Sequence, residues 1–223
     1  MTHREQIRGV LSDKKPLVVG ALAENKTLKS PLFECDVVEL RLDSIGCGKD
    51  VVEFAKNTPA PLLVTARGPV EGGQSDWSTQ ERTDAYRALM PYATLIDIEL
   101  RDFDSFNDVI NQAKNEGVIV VGSFHDFTTT PTLDELTTKF DDRADIHKFA
   151  LMATTQNHIS SHLQIMAAFP DLQLSVMGMG PLGAAARPLM AKAGSLLNYG
   201  FLGSTPTAPN QWPASLLRNA LAI

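Results

Sequence analysis

The sequence predicts a closed (β/α)8 TIM barrel in a single α/β domain spanning residues 1–223. Three observations predict it. Strand-like and helix-like patterns alternate along the chain, which argues for a parallel sheet. Eight such pairs follow one another in steps of roughly 28 residues, with no linker or low-complexity segment, and eight in one domain argue for closure. No G-x-G-x-x-G follows the first strand pattern, against an open dinucleotide-binding sheet. Gly178 and Gly180 do form a G-x-G after the seventh strand, but the third glycine of that motif is misplaced.

The elements read in order. Residues 17–22 (LVVGAL) form a first β-run, and 27–33 have room only for a short helix that Pro31 weakens. Residues 36–43 (DVVELRLD) are a second strand, followed by a helix over 49–57. Residues 61–67 (PLLVTAR) are a third, leading into the glycine-rich loop 68–73. Ser78, with Glu81 three residues on, has the form of a capping box and opens a helix to about residue 90. Residues 94–100 (TLIDIEL) are strand four, and an amphipathic helix over 105–116 is closed by Gly117. Residues 118–127 (VIVVGSFHDF) are strand five, and Thr132 with Glu135 caps a helix to about 143. Strand six covers 145–152 (DIHKFALM), and its helix, 155–169, stops near Pro170. Strand seven (172–177), a helix over 183–195, a short strand eight (199–202) and a last helix over 211–221 complete the pattern.

The totals exclude several classes. A net charge of -6 disfavours a nucleic-acid or anionic-membrane surface. No run of about 18 apolar residues offers a membrane span. The polar N-terminal segment lacks the apolar stretch of a signal peptide, so a cytoplasmic location is expected. Cys35 and Cys47 suit neither a disulfide framework nor a zinc site and are expected to be free thiols. His158 and His162 have zinc-ligand spacing but lack the intervening glutamate of H-E-x-x-H, so no metal is expected there. Met177 and Met179 read as packing residues.

The most informative residue is Lys148, a charge in the middle of a buried strand. Such an ammonium either has a carboxylate partner or has lost its proton. A lysine of lowered pKa attacks ketones to give a Schiff base, whereas the plain alternative is a salt-bridged or snorkelling lysine. In a barrel, active residues gather at the C-terminal strand ends. Glu39 and Arg41 share a face of strand two, Arg67 ends strand three, and Asp97 and Glu99 share a face of strand four. His125 lies near the end of strand five, two residues after Ser123. Arg187 lies early in the helix after strand seven, and Thr207 and Gln211 follow strand eight. Taken singly, each has a structural reading: an ion pair, a solvated strand-end charge, a loop anchor or a hydrogen-bonded histidine. Together they describe a rim where Lys148 attacks a ketone and His125 moves the proton that the resulting iminium acidifies. Arginines there would hold a carboxylate or hydroxyls. That suits aldol cleavage, or loss of water from a β-hydroxy ketone.

The ordered motifs resemble one family, the type I 3-dehydroquinate dehydratases. They are ELRLD at 39–43, Arg67 with Glu71-Gly72-Gly73, IDIEL at 96–100, SFHDF at 123–127 and ADIHK at 144–148. MGMG at 177–180 with Arg187, and APNQ at 208–211, complete the set from about residue 17 onward. The resemblance implies dehydration of 3-dehydroquinate to 3-dehydroshikimate, the third step of the shikimate route, without metal or organic cofactor and in a homodimer. It gives Lys148 the Schiff base and His125 the general base and acid. Glu39, Arg41, Arg67 and Arg187 become substrate-binding residues, with Arg187 as carboxylate clamp. Thr207 and Gln211 fall in the closing lid, Glu71 near the site, and Asp97 near His125 as a supporting residue. The chain departs from the family at Ala21 and Ala186, where serine is common, and at Asn210, where the lid usually has glycine. Class I aldolases and transaldolases also use a barrel lysine, but they need a phosphate site, for which the turn 178–183 is the candidate. A non-catalytic barrel that binds a small acid or a protein is the third reading.

Overall fold

The computed structural model describes residues 2–29 and 34–221. Eight strands, β1 (Leu17–Leu22), β2 (Val37–Arg41), β3 (Leu62–Thr65), β4 (Leu95–Glu99), β5 (Ile119–Asp126), β6 (Ile146–Met152), β7 (Leu174–Met179) and β8 (Leu197–Leu202), pair in parallel in the order β7-β6-β5-β4-β3-β2-β1-β8. The seam between β7 and β8 is nearly closed by backbone and side-chain hydrogen bonds. The Leu196 N–H donates to the Leu174 carbonyl (2.9 Å), and the Ser175 hydroxyl donates to the Leu197 carbonyl. Ser195 Oγ accepts from the Val176 N–H and donates to the Val176 carbonyl, each at 3.0 Å.

Helices α1 (His3–Ser12), α2 (Leu42–Ile45), α3 (Lys49–Asn57), α4 (Thr79–Leu89), α5 (Asn107–Asn115), α6 (Leu133–Thr137), α7 (Gln156–Ala168), α8 (Gly183–Lys192) and α9 (Ala214–Leu221) surround the barrel. The capping boxes of Ser78 with Glu81 and Thr132 with Glu135 both form. No helix of the described residues is long and apolar enough to cross a membrane, and Cys35 and Cys47 are free.

Alternation along each strand sets a polarity gradient inside the barrel. Leu17, Val37, Leu63, Leu95, Ile119, Ile146 and Leu197 pack in one interior cluster with Ile7 and Leu11 of α1. Two residues further along several of these strands the inward positions become Glu39, Thr65, Asp97, Lys148 and Tyr199, all buried. The apolar end carries stability, and the polar end opens at the C-terminal face, where barrel chemistry resides.

Helix α1 was not expected from the sequence. It is capped by Thr2 with Glu5, and it closes the apolar end. Arg4 fixes it by donating to the carbonyls of Ala93 (3.0 Å), Met90 (3.2 Å) and Glu116. The T-x-x-E box followed by Ile7, Val10 and Leu11 was the available signal. Other elements keep their place with shifted ends. The chain leaves β2 at Arg41 and turns straight into α2. Helix α6 is shorter than expected because Phe140 leaves the helix to pack edge-on against His147, Phe149 and Phe169. The helix expected over 27–33 is a 3-10 turn, Asn25–Lys29, whose remainder lies outside the described residues.

Candidate active site

A cavity of about 260 Å³ lies at the polar end of the barrel. Its lining includes Glu39, Arg41, Arg67, Glu71, His125, Lys148, Arg187, Thr207 and Gln211. Every catalytic and substrate-binding residue expected from the sequence thus meets at one place, although the residues come from six strands and the segments that follow them. Asp97 sits just beneath, fully buried.

Lys148 is held from two sides. Its Nζ donates to Asp97 Oδ2 at 2.9 Å, and it stands 4.2 Å from the centre of the Tyr199 ring. Burial lowers its pKa, Asp97 opposes that, and the Arg67 guanidinium reinforces it. Asp97, expected near His125, lies within electrostatic reach of that ring and bonds Lys148 directly. It also takes Arg67 on Oδ1 at 2.6 Å, and Ser123 Oγ donates to the same oxygen at 2.6 Å. Burial would raise the Asp97 carboxyl, but Arg67 and then Lys148 hold it well below the usual carboxylate range. Arg67 also donates to Ser123 Oγ at 2.6 Å and pairs with Glu99 at 3.5 Å. Its first task in the free protein is therefore to order Asp97 and Ser123, and its place in the cavity wall leaves it facing a ligand as well.

His125 leans on Glu71. Its Nδ1 lies 2.8 Å from Glu71 Oε2, which also accepts the His125 backbone N–H at 3.1 Å. The loop after β3 makes this possible. Gly72 takes φ of +86°, and a Cβ on Gly73 would fall 2.1 Å from the Arg67 carbonyl oxygen, so a side chain is excluded there. Burial, with the cations Arg67 and Lys148, pushes the imidazole well below its usual pKa, so it is neutral near pH 7. When Glu71 is ionised it can only accept, so Nδ1 carries the proton and the lone pair is on Nε2, as a general base requires.

Burial pushes the Glu71 carboxyl up to about 7, with Arg67 opposing. Between the ordinary value of 4.5 and about 7 the folded chain binds more protons than the unfolded one. Stability contributed by this group is therefore full below that window and is lost as pH rises through it. Glu71→Gln is expected to raise the Tm relative to the wild type at pH 8 but not at pH 4.5. A gain of about 1–3 kcal/mol would correspond to several degrees for a chain of this size. Turnover is expected to fall in the same variant. Thermal unfolding at both pH values checks this, and equal differences at the two would show that Glu71 titrates as an exposed carboxyl.

The remaining groups form the walls. Arg41 is gripped by both oxygens of Asp43, each at 2.9 Å, and Asp43 also accepts the Gln74 N–H at 3.1 Å. Glu39 accepts the Thr65 hydroxyl at 2.8 Å. Arg187 donates from one terminal nitrogen to the Tyr199 carbonyl at 2.9 Å, but its Nε is buried without a partner among the described residues. Burial brings its pKa down to about 10. A buried guanidinium with no carboxylate beside it is a ready anion site. In the segment after β8, Gln211 Oε1 accepts both the N–H and the hydroxyl of Thr207 at 2.8 Å. Asn210 takes φ of +56°, the left-handed angle expected where glycine is usual, and its side-chain amide donates to the Gly180 carbonyl at 3.0 Å. Ala186 faces Gly178, where an added Cβ would stand 2.7 Å from the alanine methyl, so this contact requires small residues.

Sequence reasoning assigned no role to Asp43, Ser123, Thr65 or Tyr199. Asp43 and Thr65 each lie two residues from an assigned arginine, which was the available signal. His162 contacts Thr130 and His158 contacts Thr154, and no group of three or more potential metal ligands occurs among the described residues.

Known proteins resemble this chain in sequence and in fold. The family model described as type I 3-dehydroquinase matches residues 16–223. A 3-dehydroquinate dehydratase of Methanocella arvoryzae is 30% identical over 95% of this chain and 98% of its own length. One from Methanococcus maripaludis is 32% identical over 87% of this chain and 91% of its own. The crystal structure of a type I 3-dehydroquinate dehydratase from Clostridium difficile superposes with a TM-score of 0.80, at 24% identity, over 93% of this chain and 91% of that one. The sequence match runs from β1 through the last helix and takes in the whole cavity, and on it the chain belongs to the type I 3-dehydroquinase family.

Proposed function

We propose that this chain, as one catalytic domain, dehydrates 3-dehydroquinate to 3-dehydroshikimate through a Schiff base on Lys148, the third step of the shikimate route. The observation that carries the reading is one cavity holding a buried lysine of lowered pKa, a neutral histidine backed by Glu71, and an arginine without a carboxylate partner among the described residues. The free amine of Lys148 adds to the substrate ketone, and water leaves to give an iminium. The iminium draws electrons from the adjacent carbon, whose proton passes to Nε2 of His125. The β-hydroxyl then departs with that proton, and hydrolysis of the iminium frees the enone and Lys148. Arg187 holds the substrate carboxylate, Arg41 and Glu39 meet its hydroxyls, and Thr207 and Gln211 close over it. Family membership further supports a cytoplasmic homodimer.

The aldolase reading has less support. The candidate phosphate turn spends the Leu182 N–H on the Ala153 carbonyl and the Gly183 N–H on the Gly180 carbonyl, both at 2.9 Å. The test is ultraviolet absorbance of a conjugated enone on mixing with 3-dehydroquinate. No enone, together with cleavage of a sugar phosphate, would replace the dehydratase reading with the aldolase one.

Arg187→Ala is expected to raise KM about 100-fold, near 2.7 kcal/mol, with a smaller fall in kcat. Arg187→Lys is expected to fall between, since it keeps the charge and loses the planar fork. Steady-state kinetics checks both, and an unchanged KM in the alanine variant would remove Arg187 as the carboxylate clamp.

A further inference from the structure

Tyr199 has no role in the chemistry described so far, yet it forms part of the cavity wall. Its ring lies under Lys148 Nζ, and its backbone carbonyl anchors Arg187. Its hydroxyl is buried, and no described residue bonds to it. Among the described residues four buried side-chain polar atoms lack a partner, and two of them, Arg187 Nε and the Tyr199 hydroxyl, belong to residues of the cavity wall. A buried hydroxyl left unpaired costs the free protein stability, and phenylalanine would fill the same space without that cost. The group is therefore explained if its partner arrives with the ligand.

The chemistry at Lys148 supplies such a partner. When the amine adds to a ketone, the C–N bond forms and the carbonyl π pair moves onto oxygen, which takes the proton shed by nitrogen. The nitrogen lone pair then forms the C=N bond, the C–O bond breaks, and the oxygen leaves as water with one proton from solvent. Throughout, that oxygen is one carbon away from Nζ, and Nζ lies over the Tyr199 ring. We propose that Tyr199 is a further catalytic residue, whose hydroxyl donates a hydrogen bond to the oxygen on the carbon that Lys148 attacks. The inference rests on the Schiff-base reading above. Tyr199 passes on no proton: burial, with Glu39 and Asp97 nearby, holds the phenol protonated well above its usual range. Its bond strengthens as negative charge gathers on the oxygen, so it speeds imine formation and leaves the later elimination by His125 alone.

The test is Tyr199→Phe, which keeps the ring and removes only the hydroxyl. Rapid mixing with 3-dehydroquinate, quenching with borohydride and intact-mass analysis read the rate of adduct formation. That rate is expected to fall roughly tenfold, the loss of one hydrogen bond in the transition state. KM should stay within about twofold, and the Tm should hold or rise because an unpaired buried hydroxyl has gone. Equal rates of adduct formation in the two proteins would overturn the proposal. So would a slower rate accompanied by a lower Tm, which would make the hydroxyl a structural group. If the wild type itself formed no adduct, the Schiff-base reading would fail and take this inference with it; an adduct formed equally fast in both fails this inference alone.

Discussion

Lys148→Ala is expected to abolish turnover, lowering kcat by roughly 10⁴-fold or more, about 5.5 kcal/mol. The reason is that no other amine of the described residues lies in the cavity wall to replace it. Arginines 41, 67 and 187 line the same space, but a guanidinium is protonated near neutral pH and is no nucleophile. The variant should still fold. Asp97 keeps Arg67 at 2.6 Å when the ammonium is gone, so the carboxylate is not left without a cation. The expected cost is that of a thinned buried network, about 1–3 kcal/mol. The measurement is intact mass after incubation with 3-dehydroquinate and borohydride. The wild type should gain the mass of a reduced adduct, mapped to Lys148, and the variant should gain nothing. In the wild type, adduct formation should quicken as pH rises toward the pKa of Lys148. Burial brings that pKa below the ordinary 10.5, so the rise should level off earlier than for an exposed lysine. An adduct on the alanine variant would move the nucleophile elsewhere.

The residues that made this site legible are those that break an apolar strand. Lys148, Glu39, Arg41, Asp97 and His125 each interrupt a pattern whose period says which way they point. The same periodicity cannot show who pairs with whom across strands. Asp97 lies 51 positions from Lys148, and only closure of the barrel brings its carboxylate to Nζ. Asp43 escaped for a different reason. The chain leaves β2 at Arg41 and enters α2, so the alternation that places Arg41 no longer governs the aspartate that grips it. Strand eight looked two residues shorter than it is because Asn198 interrupts its apolar run. Its amide is buried but satisfied, donating to the Ser195 carbonyl at 2.8 Å. A pattern of polarity reads such a residue as exposed, since hydrogen bonding to the backbone leaves no trace in composition. The Tyr199 hydroxyl is invisible for the converse reason, because an unmade bond is a property of the packed cavity alone.

His125→Ala should separate the two chemical steps that Lys148→Ala removes together. The imidazole sits beside the site of imine formation but is proposed to act on the carbon next to it. Its loss should lower kcat by roughly 10²–10⁴-fold, the range for a positioned general base. Adduct formation on Lys148 should continue, so the trapped adduct should accumulate to a larger steady-state fraction than in the wild type. The elimination, not the addition, then limits turnover. In heavy water the wild type should exchange the substrate proton at the carbon beside the imine, and the variant should lose that exchange along with product. The wild-type acid limb should lie below pH 6.5, because burial with Arg67 and Lys148 pushes the imidazole below that value and the base must be neutral to act. Glu71 remains in the variant without the ring nitrogen it supports, so the carboxyl cannot rescue the transfer unless it reaches the substrate itself. Retained exchange at the wild-type rate would mean that another group, with Glu71 the nearest candidate, takes the proton. Loss of adduct and exchange together would place His125 in imine formation as well, and the clean division of labour between β5 and β6 would fall.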